Sequence, residues 1–373
     1  MTTARTTLVT GTVRTHRPQR STWLGLLLIA AALPGLWITP SVFLAAWLAA
    51  WWWCLGLVTG SLTLLWMHRL TGGRWGDVLR PAVKVVASRL PWLIPLFLPI
   101  AFGLPLLYPW AADPAGWAHE MTRPAFAQAW LSPGFFLARM AVYAAVWLWL
   151  ARSAALAVVT SGRAAASLIA HGLVTSLAAV DLLASLVPGW SSSAFGLLAL
   201  VSQMLAGSAL VVGLTAALRR QSVATPLGEP PVWRDLGNLL LMGVSMWGYL
   251  AFMQFLIIWA ENLPREISWF VPRLQTGWQP VGVVVVLCNL VLPLFALLLR
   301  SVKDRPSRLA RLSFGLLAAQ ALDAAWMVMP SVDAHSLQGW WLLPLLIVGM
   351  ALLLFGGVPA AVQAVPEQEG RHE

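Results

Sequence analysis

The sequence predicts an all-α integral membrane protein with about ten transmembrane helices, and three observations carry that expectation. Hydrophobic residues make up 59% of the 373-residue chain and charged residues 10%. Mean hydropathy is +0.76, far above that of a water-soluble domain. Apolar runs long enough to cross a bilayer core, which takes roughly 20 helical residues, recur along almost the whole chain. They fall at about 22–39, 41–67, 90–110, 134–157, 164–187, 193–218, 236–260, 280–299, 309–329 and 339–360. Little is left for an extramembrane domain. The expected organisation is a flexible basic head over 1–20, one polytopic membrane domain over 21–361 and a tail over 362–373.

The head is polar and basic and runs into an apolar stretch, as a signal peptide does. Ala30-Ala31-Ala32 even mimics a cleavage site, but the apolar run continues to Ile38, so a retained first span is expected. Pro40 separates it from the second span, which contains Trp51-Trp52-Trp53. The tryptophans inside spans are expected to pack in the interior or against lipid, and Trp37, Trp110 and Trp278 to anchor at the interfaces. Pro293 sits within the eighth span, four residues after Asn289, where it should kink the helix and free a carbonyl.

Charge placement sets the expected topology. With a cytoplasmic N-terminus, inner segments hold Arg5, Arg14, Arg17 and Arg20, then Arg69, Arg74, Arg80, Lys84 and Arg89, then Arg152 and Arg163. Arg219, Arg220 and Arg234 follow, then Arg300, Lys303, Arg305, Arg308 and Arg311, and finally Arg371. Outer loops hold only Arg123, Arg265 and Arg273. This skew is the positive-inside pattern and places both termini in the cytoplasm. The net charge of +10 is thereby explained by topology and anionic lipid, with no nucleic-acid partner. Cys54 and Cys288 both lie within spans, which excludes a disulfide framework, and there is no CxxCH or cysteine cluster for haem attachment or an iron–sulfur centre. No metal site is expected.

The costliest residues are the most informative. Asp181 and Asp323 lie inside apolar helices, each seven residues before a proline, Pro188 and Pro330. A carboxylate in hydrocarbon marks a partner, a pathway or a site. Both should lie about 10 Å from the outer end of a span, with Arg139 at about 9 Å in the fourth span. Glu261 is expected at the outer end of the seventh. Small neighbours at helical spacing, Ala178, Ala184 and Ser185 around Asp181 and Gly315, Ala319 and Gln320 around Asp323, point both aspartates into the protein. A structural Arg–Asp pair and a proton path or polar pocket remain alternatives. His171, about 11 Å into the fifth span, is either an inner-side proton entry or a packing histidine. It and His68 sit at depths that do not suit one bis-histidine haem. Asn238, Ser245 and Tyr249 form a helical stripe that fits interhelical hydrogen bonds or a proton path.

Several strings resemble the ActF family of membrane subunits from Alternative Complex III. That complex is a quinol:electron-acceptor oxidoreductase whose membrane subunits share the polysulfide-reductase (NrfD-like) fold. The strings are Gly60-Ser61-Leu62-Thr63-Leu64-Leu65-Trp66-Met67-His68-Arg69-Leu70-Thr71-Gly72-Gly73-Arg74-Trp75-Gly76, Leu98-Pro99-Ile100 through Leu107-Tyr108-Pro109-Trp110, and Trp259-Ala260-Glu261-Asn262-Leu263-Pro264-Arg265-Glu266-Ile267-Ser268-Trp269. The span from Leu322-Asp323 to Met329-Pro330 is similar too. The resemblance implies two pseudo-equivalent four-helix bundles, spans 2–5 and 6–9 (half-repeats about 41–188 and 193–330), with peripheral first and last helices. The chain departs from the family's pattern at Leu182, where the family has Trp, at Asn289, where it often has His, and at Gln320, where it has His or Arg.

The function so implied is that of a non-autonomous subunit in a bacterial inner membrane, scaffolding a respiratory quinol:cytochrome c oxidoreductase. Its partners would be other membrane subunits and iron–sulfur and multihaem cytochrome c subunits. Asp181, Asp323, Arg139, Glu261, Gln320 and His171 are the candidate proton path or quinone pocket. No covalent cofactor is expected, and quinone or quinol is the candidate ligand. The competing readings are a secondary transporter or permease, which also uses duplicated halves and buried charge, and a structural assembly partner of a terminal oxidase.

Overall fold

The structure, a computed structural model, describes residues 20–113, 116–120, 123–155, 159–219, 230–335 and 338–364. The expected head, apart from Arg20, and the end of the expected tail lie outside the described residues. Among the described residues the chain is helical with no strand. Among the described residues nine helices are long and apolar enough to cross a membrane, or ten if one bent pair is counted as a span. The fold is therefore an all-α, multi-span membrane architecture.

The spans are α1 (Arg20–Ile38), α2 (Pro40–Thr71), α4 (Pro133–Ala155), α5 (Ser161–Leu182), α6 (Phe195–Arg219), α7 (Pro230–Glu261), α8 (Gln279–Leu298), α9 (Pro306–Val328) and α10 (Leu342–Phe355). A further helix, α3 (Trp75–Ala87), leads into the broken span. Proline and glycine set the limits of α2. Pro40 sits where an N–H would be unpaired anyway. At the other end Gly72, with φ +70, donates its N–H to the His68 carbonyl, a left-handed cap that favours glycine.

α2 is the axis of the bundle. Every residue of its apolar window is buried, against α3, α5, α6, α9 and α10. Its small residues permit this. At the crossing with α6, a Cβ on Gly60 would collide with the Gln203 carbonyl oxygen, and one on Gly207 with the Ser61 nitrogen. Gly56 and Gly60 thus form a small-xxx-small contact, which lets backbones touch where lipid offers no hydrophobic drive. The first and last spans pair with each other in the same way: a Cβ on Gly25 would lie 2.7 Å from the Gly349 carbonyl oxygen.

The third span departs from expectation. It is not one helix over 90–110 but a chain of short turns, Leu90–Leu93, Pro95–Phe97, Leu98–Phe102, Leu104–Leu107 and Pro109–Ala112. The cause is the series Pro91, Pro95, Pro99, Pro105 and Pro109, each of which removes a donor and crowds the preceding turn. Helical segments Trp75–Leu93 and Pro95–Phe102 meet at 48°. Carbonyls in a broken membrane helix need internal donors. Two come from α2: Trp51 Nε1 donates to the Leu93 carbonyl at 2.8 Å and Trp47 Nε1 to the Leu96 carbonyl at 2.8 Å.

In α8 the expected kink takes another form. Pro293 has no N–H for the Asn289 carbonyl, and the backbone widens into a π-helical turn over Leu287–Val291 within a continuing span.

The α2–α6 crossing yields a prediction. Gly60→Leu forces the two helices apart and should lower the detergent-solubilised protein's melting temperature, at a cost of about 1–3 kcal/mol or more. Gly315→Ala, where nothing lies within 4 Å of the new Cβ, should leave it unchanged or slightly raised.

Candidate functional site

The two aspartates end up in different surroundings. Asp181 lies one residue before the end of α5, fully buried. Arg139 on α4 grips it as a fork: Nε donates to Oδ2 at 2.8 Å and Nη2 to Oδ1 at 3.0 Å. Tyr143 Oη donates to Oδ2 at 2.8 Å and Trp130 Nε1 to Oδ1 at 3.0 Å. The guanidinium is held in turn. Its Nη1 donates to the Trp130 carbonyl at 2.8 Å, and it stacks 4.1 Å from the Trp130 ring centroid. Charge and lone pairs are both matched, which is the condition for keeping an ion pair out of water. Ser185 donates to the Asp181 carbonyl as the helix ends.

Asp323 on α9 has no cation among the described residues. Its Oδ2 accepts from Ser202 Oγ on α6 at 3.1 Å and from Trp247 Nε1 on α7 at 3.3 Å, two neutral and rather long bonds. The residue is 2% exposed. It faces a cavity of about 20 Å³ between α2, α6 and α9, with Trp52, Gly56, Gln203, Gln320 and Met327 in its wall. That is room for one water, whereas a quinone ring needs a pocket of several hundred cubic ångströms. Gln203 accepts from Thr59 at 2.9 Å, and its buried Nε2 has no hydrogen-bond partner among the described residues.

Gln320 lies on the same face, and its Nε2 donates to Asn289 Oδ1 at 3.0 Å, within the π-helical turn. Gln320 therefore lines the cavity that Asp323 faces and also reaches Asn289 at the contact of α9 with α8. The expected face needs one correction. Gly315 is exposed, because eight residues advance the helix about 80° beyond two full turns. Ser313, Leu316, Ala319 and Gln320 are the buried positions instead.

The other candidates do not join the aspartates. Glu261 is exposed at the end of α7. Its neighbour is Glu266, whose carboxyl is pushed above the usual range first by a hydrogen bond with Glu261, then by desolvation and the Glu261 charge. His171 is buried; its Nδ1 lies 3.2 Å from Thr175 Oγ1, its Nε2 has no partner among the described residues, and its ring packs against Trp66 at 6.1 Å. Trp110 and Trp278 are buried in the protein. Trp110 is fully buried, and Trp278 Nε1 donates to the Asp333 carbonyl at 2.7 Å. Trp37 does lie exposed, at 77%.

Sequence reasoning missed several members of these sites. Tyr143 was within reach, since it sits one helical turn after Arg139 and so shares its face. Trp130, Ser202 and Trp247 arrive from separate elements with no local signal. Arg273, expected as an ordinary loop cation, is fully buried. It donates to the Met327 carbonyl at 2.6 Å and the Trp326 carbonyl at 3.2 Å near the end of α9, and lies 3.4 Å above the Trp269 ring. A cation at a helix C-terminus suits both the dipole and the unpaired carbonyls. Burial drives its pKa well below the ordinary arginine value.

Among the described residues no group of His, Cys, Asp and Glu side chains is placed to hold a metal ion. No protein-family model matches the chain, and no curated protein matches it.

The Arg139–Asp181 fork yields a cycle of variants. Arg139→Met alone leaves a buried carboxylate without its cation and should cost about 3–5 kcal/mol. Arg139→Met with Asp181→Leu should recover most of that loss in thermal unfolding of the detergent-solubilised chain.

Proposed function

We propose that the chain is a membrane subunit of a respiratory quinol:electron-acceptor oxidoreductase in a bacterial inner membrane, with both termini cytoplasmic. In this reading Asp323 is the protonatable group and Asp181 is structural. The family resemblance supports the class of complex, and the basic loops support the orientation. The observation that carries the site is the contrast between the carboxylates: Asp181 is neutralised by a bidentate arginine, whereas Asp323 is equally buried with only neutral donors.

A carboxyl so placed can exchange a proton without breaking an ion pair. The one-water cavity supplies a relay position. Gln320 with Asn289 on one side, and Gln203 with Thr59 on the other, extend the polar surroundings. Oxidation of a quinol releases two protons with two electrons. The proton role belongs to this chain. The electrons pass to iron–sulfur and haem partners, since the sequence carries no motif to bind such centres. The Asp323 cavity, at about 20 Å³, is too small for a quinone ring.

The outer face of α7 supports a subunit role. Asn238, Met242, Ser245, Tyr249 and Phe252 recur at alternating spacings of four and three, the seam of a helix made to pack on another helix. All five are exposed, Tyr249 at 60% midway along the span, and Asn238 Oδ1 accepts from Lys303 at 2.8 Å. Tyrosine favours the membrane interface, so a hydroxyl at mid-depth needs a donor or acceptor from a neighbouring helix. A transporter reading has less support, because the interrupted helices, the third span and α8, do not occupy equivalent positions in the two halves.

Purification in mild detergent separates the readings. Co-purifying multihaem and iron–sulfur subunits are the expected result, and a lone chain that drives substrate uptake into liposomes is the opposite one. In the assembled complex, Asp323→Asn should lower proton-coupled quinol turnover at least about tenfold, the scale of a lost proton-transfer group. Unchanged turnover and proton release would remove the role from Asp323. Ser245→Ala with Tyr249→Phe should reduce co-purification of the partner subunits while the chain itself stays folded.

A further inference from the structure

The wall of the cavity beside Asp323 restricts what that cavity can hold. Its volume of about 20 Å³ is the room of one water. α2 presents Trp52 and Trp53 to it, and α6 presents Ser202 and Gln203. Ser202 is committed to Asp323 Oδ2, as is Trp247 from α7. On α9 itself, Gln320 gives its N–H to Asn289 of α8. None of these side chains ionises, so among the described residues Asp323 carries the one titratable group at the cavity.

Two donors in the wall are left over. Gln203 accepts the Thr59 hydroxyl through Oε1, and its Nε2 has no acceptor among the described residues. The Nε1 of Trp53 is in the same condition. Both residues are shut away from solvent, at 2% and 7% exposure. An indole N–H can only donate, so the character of this wall is fixed by chemistry. A buried donor without an acceptor is costly, and two of them beside one water-sized space call for an occupant that accepts. Water accepts two hydrogen bonds and has two protons to give, so it can join both donors to the carboxylate. A metal cation needs oxygen ligands, and N–H groups turn their positive ends towards it. Sodium sites in membrane transporters draw on the free carbonyls of unwound helices. Here α2, α6 and α9 run unbroken past the cavity and keep their carbonyls in helical bonds.

We propose that the cavity binds a single water, held by the N–H groups of Gln203 and Trp53 and donating to the Asp323 carboxylate, and that the same donors exclude sodium. Gln203 and Trp53 are thus positioning residues. They aim the water's protons at Asp323 and give its charged form a third hydrogen bond beside those of Ser202 and Trp247. This deepens the reading of Asp323 as the protonatable group and rests on it: the ion exchanged there is the proton.

The test uses the full chain in nanodiscs. Infrared spectra recorded across pH identify the carboxyl C=O band that Asp323→Asn removes, and its titration midpoint is then followed. The midpoint should stay put when sodium replaces choline at constant ionic strength. Gln203→Leu and Trp53→Phe each remove a holder of the water. Each should move the midpoint to higher pH, with the proton bound about tenfold more tightly, the scale of one hydrogen bond to a charged group. Trp53→Phe keeps an aromatic ring on α2 and carries the test if Gln203→Leu does not fold. A cryo-EM map of the chain with a rigid antibody fragment should show one density peak within hydrogen-bond reach of Gln203 Nε2 and the Asp323 carboxylate. A midpoint that falls as sodium rises, a midpoint unchanged in the variants, or a cavity without that peak overturns the proposal. A carboxylate that takes up no proton at any pH overturns the protonatable reading of Asp323 instead, and the map then decides the water separately.

Discussion

The constraint on which this architecture rests is that hydrocarbon offers no water to a free backbone carbonyl. The chain breaks its own helices repeatedly, at Pro40, along Pro91–Pro109 and at Pro293, and each break has to be satisfied from within. In the third span indole N–H groups of Trp47 and Trp51 do this. Carbonyls between spans are served in the same way: Trp190 donates to the Glu266 carbonyl at 2.9 Å, and Trp278 to that of Asp333. Elsewhere Tyr108 donates to the Leu182 carbonyl at 3.0 Å and Arg273 serves the end of α9. Tryptophan is suited to the task because it joins a large apolar surface to a single donor, with no acceptor left over in a dry interior.

The same principle explains the asymmetry of the aspartates. Two carboxylates in similar sequence settings, each near the end of an apolar helix that tightens into a 3₁₀ turn, receive different partners. Around Asp181, Arg139 has a helical neighbour, Tyr143, and a tryptophan from the preceding short helix, Trp130, to complete a saturated ion pair. Around Asp323, α6 and α7 bring only the Ser202 hydroxyl and the Trp247 indole. One buried carboxylate thus has its charge matched by a guanidinium, and the other has two long bonds from neutral donors. The small residues at the α2–α6 crossing matter here as well. By bringing Gly56 and Gln203 together they shape the cavity that Asp323 faces.

Much of this was legible in the chain because bilayer physics writes on one dimension: spanning length, charge skew and the cost of a buried carboxylate are all local quantities. Counting residues from helix ends puts Arg139 level with Asp181, and the two do meet. Gly315 turns away from the Asp323 face because 3.6-residue periodicity drifts over two turns, and the third span breaks because five prolines outweigh its apolarity. Residue type alone does not distinguish a buried tryptophan such as Trp110 or Trp278 from one at the surface. Which cation meets which carboxylate had no signal in sequence spacing.

The sequence by itself determined that the chain crosses a membrane many times, that its helices break at prolines, and that two carboxylates must be sheltered. Those follow from transfer energies and backbone covalent chemistry, which act residue by residue. Only the tertiary structure decided that Asp181 is held by Arg139, Tyr143 and Trp130, while Asp323 rests among Ser202, Trp247 and a water-sized cavity. The reason is that hydrogen-bond partners and empty space are set by how helices distant in sequence pack together. A seven-residue interval to a proline carries no information about that packing.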